Sequence, residues 1–277
     1  MSRRAPAELD PHRYGPWALV AGASDGVGAA FAEEIAAAGI GVVLLARRQQ
    51  VLDEVAEGIR ARTGAPTRTV AVDLSATDAA ETVVAATSDL DIGLLVYCAG
   101  ADPHFQPFLD NTLEAAEQMV QRNVVVPLQL AHHLGRRMAD RGRGGIVVLS
   151  SGAAFVGAPN MATYGATKAF DMVFAEALWC ELRDRGVDAL SVVLGQTDTP
   201  AHRRLRAERG IAAPDQPVPR SASPAQVVAT AFAHLGRQPV CMAGADARLG
   251  ARVMFPLSRP RMVRLMERAS RRAMGGR

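Results

Sequence analysis

The sequence has almost no lysine. Its 31 lysine and arginine residues include a single lysine, Lys168, and all the others are arginines. Lys168 follows Tyr164 by four residues, and on a helix this spacing places both side chains on one face, one turn apart. A compact ammonium stabilises a neighbouring phenolate and contacts a sugar hydroxyl where a planar guanidinium would not fit. We therefore expect the pair to act in proton transfer, the simpler alternative being a helix-surface lysine.

Cysteine is scarce as well, and signals that direct a chain to a membrane are missing. The three cysteines have no CxxC or other metal-ligand spacing, so we expect small core residues in a reduced, cytoplasmic protein and no metal site. The N-terminus has no apolar stretch typical of a secretion signal,. The uncharged segment 144–167 is too rich in glycine, serine and proline for a spanning helix,.

Positive charge is concentrated at the C-terminal end. From Arg237 onward there are ten arginines and two acidic residues, a net charge of +8, whereas residues 1–236 carry 21 basic and 26 acidic residues, a net charge of −5,. Within 247–274, four apolar residues have helical spacing between arginines: Met262, Leu265, Met266 and Ala269. The segment is either an interfacial helix on the inner face of an anionic membrane or a helix packed on a subunit or the pocket. Apart from Phe255, it lacks the aromatic residues typical of nucleic-acid binding, which we therefore do not expect,.

Strand-like apolar runs alternate with helical segments along the whole chain. The predicted strands are 17–21, 41–46, 67–72, 92–97, 145–150, 187–194 and 238–242, and the predicted helices include 49–63, 112–140, 161–185 and 224–235,. This alternation predicts a single α/β domain over 15–242, a doubly wound parallel sheet of about seven strands with ligands at the strands' C-terminal ends. We expect 1–14 to be a loosely held arm and 243–277 a basic helical extension. The segment 201–223 shows no clear period and suits a mobile flap over a pocket.

A glycine-rich turn follows the first strand. Its glycines have the spacing GxxxGxG, and the turn contains Gly22, Ser24, Asp25, Gly26, Val27 and Gly28. Glycines there permit a tight turn and let backbone N–H groups approach a phosphate at a helix N-terminus. Such turns also occur for packing alone, but the position after the first strand favours a nucleotide site.

The end of the second strand indicates which nucleotide. An NAD site of this type often places there an acid that binds the adenosine ribose, but the sequence has Arg47 and Arg48. Arginines can pair with a 2′-phosphate, so we favour NADP(H), with NAD(H) as the alternative. Two surface arginines that merely open a helix would give the same pattern.

Further candidate residues follow the later strands. Asp73, beside Leu74, could bind the adenine amino group or cap a helix starting near Thr77, and Gly100, after Ala99, would let backbone pass close to a ribose. Asn123 lies near Pro127, which removes a helical hydrogen bond and can kink the helix. The asparagine could then hold a water, or it could be exposed to solvent. Ser151 stands thirteen residues before Tyr164, with Ser150 as the second candidate.

In order and spacing, residues 15–242 resemble the short-chain dehydrogenase/reductase family. The glycine turn and Asp73 match its cofactor turn and adenine contact, and Ala99 and Gly100 keep half of its Asn-Asn-Ala-Gly motif. Its four catalytic positions are matched by Asn123, Ser151, Tyr164 and Lys168, and its nicotinamide loop by Gly195, Thr197 and Thr199. The sequence departs from the family pattern at Tyr97 and Cys98, which replace the two asparagines, and at Leu194, which replaces a proline.

The resemblance implies a Rossmann fold and the interconversion of a ketone and a secondary alcohol. Tyr164 would be the general acid/base, Ser151 would position the carbonyl oxygen, Lys168 would favour ionisation of Tyr164 and bind the nicotinamide ribose, and Asn123 would hold a relay water. The segment 14–20 looks like the NADPH-linked ketoacyl and hydroxysteroid reductases, which act on lipophilic ketones. The resemblance also implies a homodimer or homotetramer formed through 112–140 and 161–185.

A second class of function is a nucleotide-binding sensor or scaffold without turnover. The complete set of Asn123, Ser151, Tyr164 and Lys168 argues against it, because a pure binding protein needs no proton relay. Epimerisation or dehydration on the same frame is a less favoured enzymatic alternative.

Overall fold

The computed structural model describes residues 9–102 and 104–254, together with residues 265, 268, 269 and 272. One sheet contains β1 (Trp17–Ala21), β2 (Gly41–Ala46), β3 (Thr67–Ala71), β4 (Ile92–Tyr97), β5 (Gly144–Ser151), β6 (Val187–Leu194) and β7 (Val240–Ala243). All pairs are parallel and the order is β3-β2-β1-β4-β5-β6-β7. The predicted doubly wound sheet is confirmed, and the strand order reverses between β1 and β4, where such sheets bind ligands.

Helices cover both faces of this sheet. They are α1 (Pro11–Tyr14), α2 (Gly26–Ala37), α3 (Gln49–Thr63), α4 (Ala79–Ala86), α5 (Leu113–Val120), α6 (Val126–Asp140), α7 (Ala162–Leu182), α8 (Pro200–Glu208), α9 (Pro224–His234) and α10 (Ala245–Met254). Ala18 and Val20 of β1 pack in one core with α2, α3 and α9, whereas Leu19 and Ala21 pack in the other with α4, α6 and α7. Because successive strand residues face opposite sides, strands covered on both faces are apolar throughout.

The long helix predicted over 112–140 is interrupted. α5 ends at Val120, and a π-helical turn over Gln121–Val125 precedes α6. In this turn the Val126 N–H donates to the Gln121 carbonyl, five residues back. Pro127 follows immediately and has no N–H to continue an α-helical ladder. The sequence predicted that Pro127 can kink the helix. In the structure, the helix before Pro127 widens by one residue into a π-helical turn,.

The N-terminal segment is docked rather than loose over its described residues. Leu9 and Tyr14 are buried, and the Tyr14 hydroxyl donates to Asp188 Oδ2 on β6 at 2.7 Å. A Cβ atom on Gly145 would lie 3.0 Å from the Tyr14 ring, so a glycine in β5 makes room for it. Arg13 Nε also contacts Asp188 Oδ2, at 2.6 Å. The prediction of a loosely held arm is therefore wrong for residues 9–14.

The segments 201–223 and 243–277 can also be compared with the sequence expectation. The predicted flap 201–223 showed no clear period in the sequence, but it begins within α8, whose N-cap Thr199 accepts a hydrogen bond from the His202 N–H. The C-terminal extension starts with the end of β7 and continues as α10. Met262 and Met266 lie outside the described residues, so the amphipathic pattern of 247–274 remains a prediction. None of the helices in the described ranges is long and apolar enough to cross a bilayer.

The contact of Tyr14 with Asp188 generates a stability prediction. Burial raises the pKa of Tyr14 above its ordinary range, and the bond to Asp188 raises it further, so the hydroxyl remains a donor. Tyr14→Phe should lower the free energy of unfolding by about 1.5–3 kcal/mol, the contribution of a hydrogen bond to a charged group. Thermal unfolding followed by circular dichroism measures this.

The matched control is Tyr164→Phe, because the Tyr164 hydroxyl bonds to no residue that the structure describes. This control should unfold at the wild-type temperature. If Tyr14→Phe also unfolds at the wild-type temperature, the hydrogen bond from Tyr14 to Asp188 does not stabilise the fold.

Candidate active site

The sequence candidates lie together at the C-terminal ends of the strands. The glycine turn follows β1, Arg47 follows β2, Asp73 follows β3, and Gly100 follows β4. Ser151 is the last residue of β5, and Gly195 follows β6 directly. Since all strands are parallel, these residues share one edge of the sheet.

The glycine turn is too tight for side chains at its two key positions. Gly22 has a φ of +80°, and a Cβ there would lie 3.0 Å from the Ala99 nitrogen. A Cβ on Gly28 would overlap the Gly22 carbonyl oxygen. Asp25 at the N-cap of α2 makes no side-chain cap bond, so the first N–H groups of α2 stay available. A cradle of this kind fits the pyrophosphate of a dinucleotide.

Arg47 and Arg48 are both exposed. Arg48 is the N-cap residue of α3 without a side-chain cap bond, so the arginines do open a helix, as the alternative interpretation held. Neither guanidinium bonds to any residue in the described part of the chain. Both are therefore free to meet a phosphate at the end of β2.

Asp73 turns its carboxylate onto its own loop. Its Oδ1 accepts from the Ser75 N–H at 3.0 Å and from Ser75 Oγ at 2.7 Å. These bonds, and more weakly the charges of Arg47 and Arg122, lower the pKa of Asp73. The alternative that Asp73 caps a helix near Thr77 is wrong, because α4 begins at Ala79 with Asp78 as N-cap. Leu74, beside it, is buried.

Lys168 is held inside the protein. Its residue exposure is 3%, and Nζ donates to the Leu149 carbonyl at 2.8 Å and to Asp171 Oδ2 at 2.9 Å. Nζ lies 5.9 Å from the centroid of the Tyr164 ring. Gly100 borders the same point, since a Cβ there would be 2.8 Å from Nζ. The helix-surface alternative for Lys168 is therefore wrong.

Asn123 lies in the π-helical turn and is only 1% exposed. Its Nδ2 donates to Thr167 Oγ1 at 3.0 Å, and Oδ1 accepts from Arg122 Nε at 3.2 Å. Thr167 Oγ1 in turn donates to the Tyr164 carbonyl. The exposed alternative is wrong, and the asparagine joins the turn to the helix that carries Tyr164 and Lys168.

The departure from the family motif at Tyr97 has a local explanation. Its hydroxyl donates to the Arg122 carbonyl at 2.6 Å. In a π-helical pattern that carbonyl would pair with the N–H five residues later, which is Pro127 and has none. A tyrosine at the end of β4 satisfies the acceptor that the proline leaves unpaired.

The two serines of β5 have different environments. Ser150 is 1% exposed, and its Oγ donates to the Lys168 carbonyl at 2.7 Å. Ser151 is half-buried, and its Oγ accepts from the Ala153 N–H at 3.3 Å. Ser150 thus braces α7 from the core, while Ser151 remains accessible at the strand end.

Tyr164 borders a small pocket that opens to solvent. Apolar lining comes from α5 and the turn before it, including Phe108, Ala115 and Met119. Polar lining comes from the loops, including Asp102, Asn111 and Asn160. The pocket therefore presents both apolar side chains and polar groups beside the tyrosine.

The predicted nicotinamide loop closes the other end of the site. Thr199 packs on the glycine turn, since a Cβ on Gly26 would be 3.2 Å from its Cβ and Cγ2. Thr197 is buried, and its Oγ1 donates to the Gly195 carbonyl at 3.2 Å. Arg204 of α8 reaches Asp25 Oδ2 at 3.1 Å, so α8 is tied to the turn after β1.

Sequence reasoning missed three residues of this region. Asp171 pairs with Lys168. It could have been found from the sequence, because an acid three residues after a lysine lies on the same face of a helix. Arg122 contacts Asn123, but no sequence pattern singles it out. Asp246 Oδ2 accepts from the Gln196 N–H at 2.7 Å, and it was counted only as a charge of the C-terminal extension.

The family model of the short chain dehydrogenases matches residues 16–210. The chain belongs to this family and is an NAD(P)-dependent oxidoreductase that acts on CH–OH groups. A 7beta-hydroxysteroid dehydrogenase of Collinsella aerofaciens is 41% identical over 189 residues, 68% of this chain and 72% of the relative.

Solved structures give the same picture. A chain from a study of 7beta-hydroxysteroid dehydrogenase stereoselectivity has a TM-score of 0.84 and 36% identity, covering 92% of this chain and 98% of that one. A short-chain dehydrogenase from Sphingobium yanoikuyae in complex with NADPH has a TM-score of 0.74 and 28% identity, covering 88% and 96%. The sequence prediction of the family, near its hydroxysteroid branch, is confirmed.

The tight glycine turn yields a prediction on cofactor binding. Gly28→Ala should weaken dinucleotide binding at least about tenfold, because the added methyl group pushes the turn away from the phosphate-binding position. Titration of nicotinamide fluorescence measures this.

Gly250→Ala is the matched control, because a Cβ there meets nothing within 4 Å. It should bind like the wild type. Unchanged affinity of a folded Gly28→Ala variant would contradict the placement of the pyrophosphate.

Proposed function

We propose that this chain is an NADP(H)-dependent enzyme that interconverts a lipophilic ketone and its secondary alcohol, with Tyr164 as the general acid/base. One observation carries the proposal. Tyr164 borders the pocket, and the single lysine of the chain lies buried beside its ring. A buried ammonium next to an accessible phenol suits proton exchange with a bound carbonyl oxygen.

Each residue of the site has a separate task. Tyr164 gives its hydroxyl proton to the carbonyl oxygen in reduction and takes it from the alcohol in oxidation. Ser151 hydrogen-bonds that oxygen and fixes its position. Lys168 stabilises the phenolate with its charge and contacts the nicotinamide ribose, and Asn123 supports a proton path from Lys168 to water. When bound, the dinucleotide supplies the hydride for reduction or accepts it in oxidation.

The preference for NADP(H) rests on Arg47 and Arg48. Both are exposed, unbonded within the described residues, and placed at the end of β2. A 2′-phosphate would gain two charge-assisted contacts there, and the ribose hydroxyls of NAD(H) would meet no acid. The similar structure from Sphingobium yanoikuyae contains NADPH.

The substrate we propose is a rigid or long apolar ketone that carries polar substituents, such as a hydroxysteroid or a ketoacyl compound. The pocket combines apolar side chains of α5 with polar groups from its loops, and the relative from Collinsella aerofaciens is a 7beta-hydroxysteroid dehydrogenase. We also propose a homo-oligomer formed through α5, α6 and α7. These helices expose Leu113, Leu128 and Val173 at 70%, 43% and 57%.

Tyr164→Phe should abolish turnover of a hydroxysteroid or other bulky ketone, by at least about 10²-fold, because no other group donates the proton at that position. Binding of NADPH should persist. Steady-state rates and NADPH fluorescence, measured on the same preparation, test both statements.

Tyr14→Phe is the control: it removes the same hydroxyl group from a buried tyrosine that bonds to β6 and does not line the pocket, so it should keep turnover below its unfolding temperature. Full activity of Tyr164→Phe would overturn the assignment. If the wild type binds NADPH but turns over no ketone or alcohol of this class, the chain acts as a nucleotide-binding sensor or scaffold.

The double variant Arg47→Ala/Arg48→Ala should lose NADPH affinity at least about tenfold and keep its NADH affinity, since each lost charged contact contributes about 1.5 kcal/mol or more. Competition between the two cofactors, followed by fluorescence, measures the ratio.

Arg183→Ala/Arg185→Ala changes the same charge in an exposed turn after α7 and should leave the ratio unchanged. Equal loss of both cofactors, or preference of the wild type for NADH, would refute the role of Arg47 and Arg48.

A further inference from the structure

Asp171 is a buried carboxylate that the mechanism above does not use. It lies on α7 one turn after Lys168, its residue exposure is 2%, and its Oδ2 is 2.9 Å from Lys168 Nζ. The side chains of the pair are 4% and 3% exposed. Its Oδ1 is buried and accepts no hydrogen bond from any residue in the described ranges. Burying a charged carboxylate or ammonium costs free energy unless the charge is paired, so the contact between Asp171 and Lys168 stabilises both groups.

Some N–H donors of the Lys168 ammonium are hydrogen-bonded to the protein, and one is free. Two N–H groups of Lys168 are committed, one to the Leu149 carbonyl of β5 and one to Asp171. An ammonium has three donors, so one remains for the Tyr164 oxygen or a ribose hydroxyl. The two acceptors therefore set the direction in which the third donor points.

Asp171 is also the acid that balances the charge of Lys168. Burial raises the pKa of Asp171, and the neighbouring ammonium opposes that rise. The groups that face the pair are Tyr164 on α7, Tyr97 at the end of β4 and Cys98 after it. β5 contributes a carbonyl but no titratable side chain. None of these neighbours supplies a second carboxylate.

We propose that Asp171 is a positioning residue that keeps Lys168 protonated and aimed at Tyr164 during turnover. The proposal rests on the proposed function of Tyr164 and Lys168. Without the carboxylate, the buried ammonium keeps its desolvation cost and loses its counter-charge, so it gives up its proton at lower pH. A neutral lysine no longer favours the tyrosinate, and the reaction fails earlier on the alkaline side.

The single lysine makes a direct test possible. Growth on lysine labelled with ¹³C at the ε carbon gives one side-chain signal for the full-length chain, and its chemical shift follows the protonation of Lys168. Asp171→Asn keeps the size and one acceptor oxygen while removing the charge. In this variant the signal should titrate at least about one pH unit lower than in the wild type. The alkaline limb of kcat/KM for alcohol oxidation should move by a similar amount.

Asp188→Asn is the matched control. Asp188 is another buried acid with an ion pair, to Arg13, away from the site. It should lower stability without moving the lysine signal or the pH profile. Asp171→Ser serves as a second neutral variant should Asp171→Asn fail to fold.

The outcomes separate the two proposals. An unchanged lysine titration in Asp171→Asn or Asp171→Ser overturns the inference even if Tyr164→Phe is inactive as expected. A shifted titration with an unmoved activity profile also overturns the positioning role. If the wild type has no turnover, the proposed function fails, while the lysine titration still decides whether Asp171 keeps Lys168 charged.

Discussion

The ammonium of Lys168 has to stay charged where water scarcely reaches, and much of the site is arranged to meet that requirement. A strand supplies a carbonyl, the same helix supplies the Asp171 carboxylate, and Gly100 leaves the space that any side chain would fill. Ser150 fixes the helix backbone at Lys168 from the core side. A buried charge is tolerated only when it is paired and hydrogen-bonded. Residues of β5, of α7 and of the loop after β4 together meet this condition around Lys168.

The widened turn before Pro127 is the second organising feature. A regular helix would continue past residue 123, but the missing N–H of Pro127 removes a donor and the turn relaxes into a π-helical pattern,. Asn123 thereby enters the interior and reaches Thr167 of the neighbouring helix. Tyr97 takes up the carbonyl left over at Arg122. A backbone irregularity, a buried amide and a departure from the family motif therefore have one common cause.

The parallel sheet and the cluster of candidate residues could be predicted from sequence, because strand and helix periodicities and glycine turns are local signals. The docking of Tyr14 could not, since it depends on an acid 174 residues away on β6. The helix α8 was missed because arginine and proline hide its periodicity, although Thr199 and Pro200 form an ordinary helix start,. The partnership of Gln196 with Asp246 joins segments fifty residues apart. The choice of Ser151 over Ser150 rested on spacing, and the core bond of Ser150 now gives it a physical basis.

The burial of the only lysine also determines how the protein meets reagents from outside. Crosslinkers, biotin esters and acetylating agents attack exposed amines, and Lys168 at 3% exposure offers them no side-chain amine. A surface otherwise charged by arginine withstands them, since guanidinium groups do not deprotonate under ordinary conditions. Amine-reactive reagents should therefore leave the side chains of this sequence unmodified as long as the fold keeps Lys168 covered.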